Sequence, residues 1–134
     1  MDVEGLITQP TRRSARETID RLAVELEAKG VTIFARIDHA AGAVAVGMRL
    51  RPTELLIFGT ARAGTPLMQS AQTIAIDLPL KAVVWQDASG DTWLSYNDPS
   101  WLAKRHGLGA EVAAAVSATT ATLAAVAKAA TASQ

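Results

Sequence analysis

The spacing of apolar residues changes period several times along this chain, and each change predicts an element. Ala15, Ile19, Leu22, Ala23 and Leu26 recur at intervals of three and four, forming one stripe of a helix. Ser14-Ala15-Arg16-Glu17 has capping-box spacing, so a hydroxyl and a carboxylate can each take a free backbone N–H at the helix start. Gly30 stops the helix, because glycine takes the left-handed cap cheaply. From Val31 the period becomes two: Val31, Ile33, Ala35 and Ile37 share one face, with Thr32, Phe34, Arg36 and Asp38 on the other. Val44, Val46, Met48 and Leu50 repeat the alternation beyond Gly42, which predicts a hairpin ended by Pro52. Glu4 to Gln9 and Leu55 to Phe58 read as two further short strands, the second closed by Gly59.

Thr65-Pro66 has the form of an N-cap followed by proline at the first helical position, opening a short helix to about Gln72. Leu80 to Gln86 and Thr92 to Tyr96 form a second predicted hairpin around Asp87-Ala88-Ser89-Gly90-Asp91. Asn97-Asp98-Pro99 then starts a helix carrying Trp101 and Leu102, stopped by Gly107. A last helix spans about Ala110 to Ala130, where Val112, Val116, Thr119, Leu123 and Val126 leave a narrow stripe among small residues. These elements predict an α+β fold: a mostly antiparallel sheet with helices packed on one face, plus a C-terminal alanine-rich helix. Residues 1–108 form the expected single domain, and 109–134 a packing or dimerisation extension.

Composition narrows the partners. With 134 residues, 49% apolar and 19% charged, the chain is a one-domain globular sequence. Its formal net charge is zero, which argues against a nucleic-acid partner; Arg12, Arg13 and Arg16 read as a solvated helix face. There is no cysteine, so disulfides, thiolate metal sites and cysteine nucleophiles are excluded. Met1-Asp2-Val3-Glu4 is acidic and lacks an apolar signal core. No window approaches the roughly 18 to 20 apolar residues of a membrane span. The alanine-rich stretch is long enough, but serine and threonine interrupt it and alanine contributes little to insertion. A cytoplasmic protein with no membrane partner is the expectation.

Several fragments carry a resemblance. Phe34-Ala35-Arg36-Ile37-Asp38-His39, Leu50-Arg51-Pro52-Thr53-Glu54-Leu55-Leu56-Ile57-Phe58-Gly59, Gly64-Thr65-Pro66-Leu67-Met68, Asp77-Leu78-Pro79-Leu80-Lys81 and Tyr96-Asn97-Asp98-Pro99 occur in this order between about Glu4 and Leu108. Together they resemble the domain of unknown function 302 family. The resemblance implies an antiparallel α+β fold, often a homodimer, and implies no activity. Where relatives carry asparagine-proline after the Phe-Gly pair, this chain has Thr60-Ala61.

No catalytic or metal signature stands out. Asp38 and His39 end a strand; His39 would serve as a general base if a carboxylate held its second nitrogen, and otherwise Asp38 caps a loop and His39 is a solvated turn residue. Glu54 opens an apolar strand, where a charge needs solvent or a partner, and Arg36, Arg51 or Lys81 would supply one. A metal would need His39, Asp38 and Glu54 to converge, with Met48, Met68 or His106; no ligand spacing supports that, and no cofactor is indicated. Gly59 to Met68 leads into a helix start that favours an anion, with Arg62 adding charge, but lacks the ending of a P-loop. Tyr96 either stabilises a strand-to-helix corner or presents its hydroxyl to a ligand, and Trp85 and Trp93 flank one hairpin as a cross-strand pair. The leading expectation is a non-enzymatic module for a small, anionic ligand, lined by Asp38, His39, Glu54, Thr65 and Tyr96. The alternatives are an acid–base or metal-dependent enzyme using His39 and Glu54, and an interaction protein acting through a dimer surface on the C-terminal helix.

Overall fold

The computed structural model describes residues 2–133, and among them five strands form one antiparallel sheet. In chain order the elements are β1 (Leu6–Thr11), α1 (Ala15–Ala28), β2 (Thr32–Asp38), α2 (His39–Ala45), β3 (Thr53–Gly59), α3 (Ala61–Ser70), a 3-10 turn (Gln72–Asp77), β4 (Leu80–Gln86), β5 (Thr92–Asn97), α4 (Pro99–His106), a second 3-10 turn (Ala110–Val112) and α5 (Ala113–Thr131). The sheet order is β1-β5-β4-β3-β2, so the α+β expectation holds. Pro10 sits in β1, an edge strand, where a missing N–H removes no ladder bond from the sheet interior.

The pleat sorts the side chains. Leu56 and Phe58 of β3, Ala82 and Val84 of β4, and Leu94 and Tyr96 of β5 point to one face and are buried. Ile19, Leu22 and Leu26 of α1 cover that face, joined by Leu123, Val126, Ala127 and Ala130 of α5. Each fully buried Leu, Ile or Phe contributes about 1.5 to 3 kcal/mol, so this layer carries the stability. The stripe on α5 is therefore spent against α1 and the sheet of the same chain. The opposite face carries Leu55, Ile57, Val83, Trp85 and Trp93, all half-buried. Trp85 and Trp93 lie directly across from each other, ring centroids 6.3 Å apart and stacked, as the hairpin predicts.

Several local predictions are met in detail. Half of the capping box forms: Ser14 Oγ accepts from Glu17 N (3.1 Å), while the Glu17 carboxylate takes the Ser14 hydroxyl (3.2 Å) in place of the backbone N–H expected for it. Asp98 caps α4 by accepting from Ser100 N, with Pro99 behind it, and Gly107 ends the helix at φ 66°. In the 87–91 turn, Trp93 Nε1 donates to Asp87 Oδ2 (2.9 Å) and helps hold that carboxyl below its ordinary range.

Two predictions are corrected. The partner strand expected over Val44 to Leu50 is absent; residues 39–45 form α2 instead, and β2 pairs with β3. Asp38 caps α2 by accepting from Ala41 N (2.9 Å). Gly47, at φ 78°, donates to Val44 O while Met48 N reaches Ala43 O, a paired closure that terminates the helix. The second correction concerns α3, which starts at Ala61 rather than Pro66. Its cap is Thr60, whose Oγ1 accepts from Ala63 N (3.0 Å), and Pro66 lies inside the helix at the cost of one backbone bond.

Candidate functional site

The register places functional residues at two ends of the sheet. Thr11, Thr92, Gln86, Glu54 and Asp38 mark one end; Leu6, Asn97, Leu80, Gly59 and Thr32 mark the other. Glu54 and Gly59 are five positions apart on β3, roughly 16 Å at about 3.3 Å per residue. The predicted ligand residues are divided by this distance.

At the first end, Asp38 and Glu54 are direct cross-strand neighbours. Glu54 is 6% exposed. Its carboxylate accepts from Arg36 Nε at 2.5 Å and lies 3.6 Å from Arg16 Nε. Arg16 also reaches Asp38 (3.4 Å), and Arg36 reaches Asp20 (2.7 Å). Burial works against the charge on Arg36, but the hydrogen bonds to Glu54 and Asp20 outweigh it and hold the guanidinium firmly protonated. Glu54 is thus the acceptor in a closed ion network that ties α1 to β2 and β3. Of the partners expected for it, Arg36 is found and Arg16 replaces Arg51 and Lys81. His39 is exposed and makes no hydrogen bond among the described residues, so no His39–Glu54 acid–base pair forms. Nor do any three His, Asp or Glu side chains among the described residues converge as a metal site.

Tyr96 is buried in mid-sheet beside Ala82 and Ile7, and burial, with the charge of Asp98, raises its hydroxyl above the ordinary value. It is a core residue, and Thr65 is an exposed position on α3.

A cluster missed by the sequence reading joins the first 3-10 turn to the end of α4. Asp77 takes two bonds from Arg105 Nη1 (2.8 and 2.9 Å) and one contact from His106 Nε2 (2.5 Å), while His106 Nδ1 faces Thr73 Oγ1 at 2.9 Å. The order hydroxyl–imidazole–carboxylate is that of a nucleophile relay. However, Arg105 neutralises the carboxylate, and Thr73 is exposed and does not line the apolar cavity at the end of the sheet. The cluster is best read as a clasp. Only the Asp77-Leu78-Pro79 fragment signalled it in sequence.

Two recesses have room for a ligand: a shallower one of about 540 Å³ between α4, the second 3-10 turn and α5, and a more apolar one at the second end of the sheet. This cavity of about 490 Å³, open on one side, is walled by α3, the first 3-10 turn, α5, the starts of β4 and α4 and the ends of α1, β2 and β3. Phe34, Phe58, Leu67, Met68, Ile74 and Leu123 supply most of its apolar wall. Lys29, Thr60, Thr119 and Thr122 are the polar side chains that reach it. Lys29 makes no ion pair among the described residues, and the α3 start at Ala61, Ala63 and Gly64 forms part of the wall. Phe34 comes to this wall through a bulge between Ile33 and Ala35, where β2 shifts register against β3.

The comparisons can be set against this geometry. Residues 7–129 match the family described as Domain of unknown function DUF302, a span that takes in most of α5. An uncharacterized conserved protein DUF302 from Bacillus stearothermophilus has the same fold, with TM-score 0.82 at 19% identity over 94% of this chain and 98% of that one. Two curated relatives, fluoride-specific ion channel FluC 1 of Brucella suis and FluC 1 of Brucella abortus, are 51% identical over 105 residues, 78% of this chain. The chain spans only 41% and 39% of their lengths.

These relatives correct the expectation of a cytoplasmic chain with no membrane partner. The matched segment occurs in proteins named as ion channels, which reside in membranes. The expectation that no stretch is span-like is also corrected: Ala110–Thr131 is long and apolar enough, by length and composition, to cross a bilayer. In this fold that helix lies on α1 and the sheet, with Leu123, Val126 and Ala130 buried. By its sequence match, from β1 through most of α5, the chain belongs to the DUF302 family, a domain of unknown function.

Proposed function

We propose that this domain binds a small amphipathic molecule, an apolar body carrying one anionic group. The observation that supports this most is the cavity of about 490 Å³, within the size range of small-molecule sites and walled mainly by apolar side chains. Its few polar side chains come from three places, Lys29 after α1, Thr60 before α3, and Thr119 and Thr122 on α5, and the start of α3 itself forms part of the wall. At the α3 start the Ala61 and Arg62 N–H groups precede the first intrahelical acceptor while Thr60 Oγ1 takes Ala63 N, the helix dipole favours negative charge, and Lys29 adds a cation elsewhere on the wall. This keeps the anion preference expected for the Gly59–Met68 loop, and moves the ligand away from Asp38, His39, Glu54, Thr65 and Tyr96, none of which lines the cavity. The reading is a binding role: no nucleophile–base pair faces the cavity.

Medium-chain carboxylates such as decanoate test it. Saturating decanoate is expected to raise the melting temperature by roughly 4 °C or more, with decanol and acetate each giving less. Equal shifts with all three compounds, or none with any, would count decisively against this site.

The channel relatives favour a second reading of its setting, in which the domain senses the ligand on behalf of a fluoride channel. Fluoride flux through the Brucella suis relative in reconstituted vesicles should then respond to decanoate. That response should vanish when the segment matching this chain is deleted; an unaltered response would remove the sensing role.

A further inference from the structure

At the end of the sheet away from the cavity, the fold displays apolar side chains that it does not use. Of the nine exposed large apolar residues among the described ones, four fall within seven positions: Val44, Val46, Met48 and Leu50, at 70, 72, 64 and 49% exposure. None of the seven residues of α2 is buried. The Asp38 cap and the Gly47 closure hold α2 and the turn through Met48, and Leu50 follows two residues later, just before β3. So many large apolar side chains exposed within one short stretch signal a partner.

The charges beside it indicate which partner. Arg49 and Arg51 alternate with Met48 and Leu50, and Arg49 has no ion pair among the described residues. Arg51 faces Asp87 without a direct salt bridge. The nearby carboxylates Asp38 and Glu54 are already engaged by Arg16 and Arg36. Exposed apolar side chains interleaved with guanidinium groups, that of Arg49 unpaired among the described residues, suit an anionic bilayer surface, with the alkyl parts in the acyl boundary and the cations at the headgroups. The channel relatives place such a segment in membrane proteins.

We propose that the stretch from α2 to β3 docks this domain onto an anionic lipid bilayer, Val44, Val46, Met48 and Leu50 entering the interface and Arg49 and Arg51 meeting the headgroups. The inference is independent of the cavity and of its ligand.

Vesicle sedimentation of the full chain tests it, using phosphatidylcholine alone and phosphatidylcholine with 30% phosphatidylglycerol, roughly the anionic content at which such binding is read. The chain should pellet with the anionic vesicles and remain soluble with the neutral ones, and added salt should release it. The triple variant Val44→Ser/Val46→Ser/Met48→Ser should partition at least about tenfold less, and Arg49→Glu several-fold less, because each removes one of the two attractions. All four positions are exposed, so an unchanged melting temperature will show that the fold survives. Absence of the wild-type chain from anionic pellets, or equal pelleting of the triple variant, overturns the proposal. So does a dimer that dissociates on the triple substitution without vesicle binding, since a second copy then covers the surface.

Discussion

Gly5→Ala is expected to destabilise the protein by about 3 kcal/mol, lowering the melting temperature by about 10 °C for a chain of this length. Two effects combine. Gly5 has φ 75°, a conformation in which any side chain is strained by roughly 1 to 2 kcal/mol. A Cβ built there would overlap the indole of Trp101 at Cγ, Cδ2 and Cε3, where the ring lies against the glycine. Backbone relief is blocked, because Gly5 O accepts from Asp98 N (2.8 Å), the residue that caps α4. The N-terminal turn, the start of α4 and Trp101 therefore form one joint. A double-mutant cycle separates the effects: with Trp101→Ala present, Gly5→Ala should cost only its backbone strain. Calorimetric or circular-dichroism melting within about 2 °C of wild type for Gly5→Ala would show that the joint yields, and would end this account.

The parts of the fold written by short-range rules were legible in the sequence. The α1 stripe, its Ser14 cap, the Trp85–Trp93 hairpin and the Asp98-Pro99 start are each local, and each is found. The α2 error has a physical origin. Ala40, Ala41, Ala43 and Ala45 fit either period, so Val44, Val46, Met48 and Leu50 imposed a two-residue alternation that no neighbouring strand answers. Asp38 as cap and Gly47 as stop were the signals to read, and Gly42 was the distraction. At α3, Thr65-Pro66 mimicked a start; the chain leaves β3 so directly that Thr60 caps first, and the helix tolerates the proline at its sixth position.

The candidate site was less legible because polarity was the guide. Glu54 looked functional for its charge in an apolar strand, and that charge is met by Arg36 and Arg16. The cavity draws on α1, β2, β3, α3, the first 3-10 turn and α5, through side chains of the same kinds that fill the core. Only the folded topology distinguishes an apolar residue facing a void from one facing another side chain. The one legible part was the stretch after Gly59, whose start of α3 does form part of the wall.

Gly64→Phe is expected to weaken decanoate binding by about 100-fold or more, equivalent to about 2.7 kcal/mol. Gly64 lines the cavity within α3, and a Cβ there would meet Leu78 Cδ1 at 3.7 Å and Met68 Cε at 3.8 Å, ordinary contacts inside the wall. The first carbon of a new side chain is thus accommodated and the rest must enter the ligand's space. Gly64→Ala supplies the control: it should raise stability by about 0.5 to 1 kcal/mol through helix propensity while leaving affinity close to wild type. The pair discriminates because both replace the same helical glycine and only one occupies the void. Calorimetric titration of the two variants decides it. Undiminished affinity in a folded Gly64→Phe protein would place any decanoate on the surface, and the apolar chamber between α3 and α5 would then be a packing defect rather than a binding site.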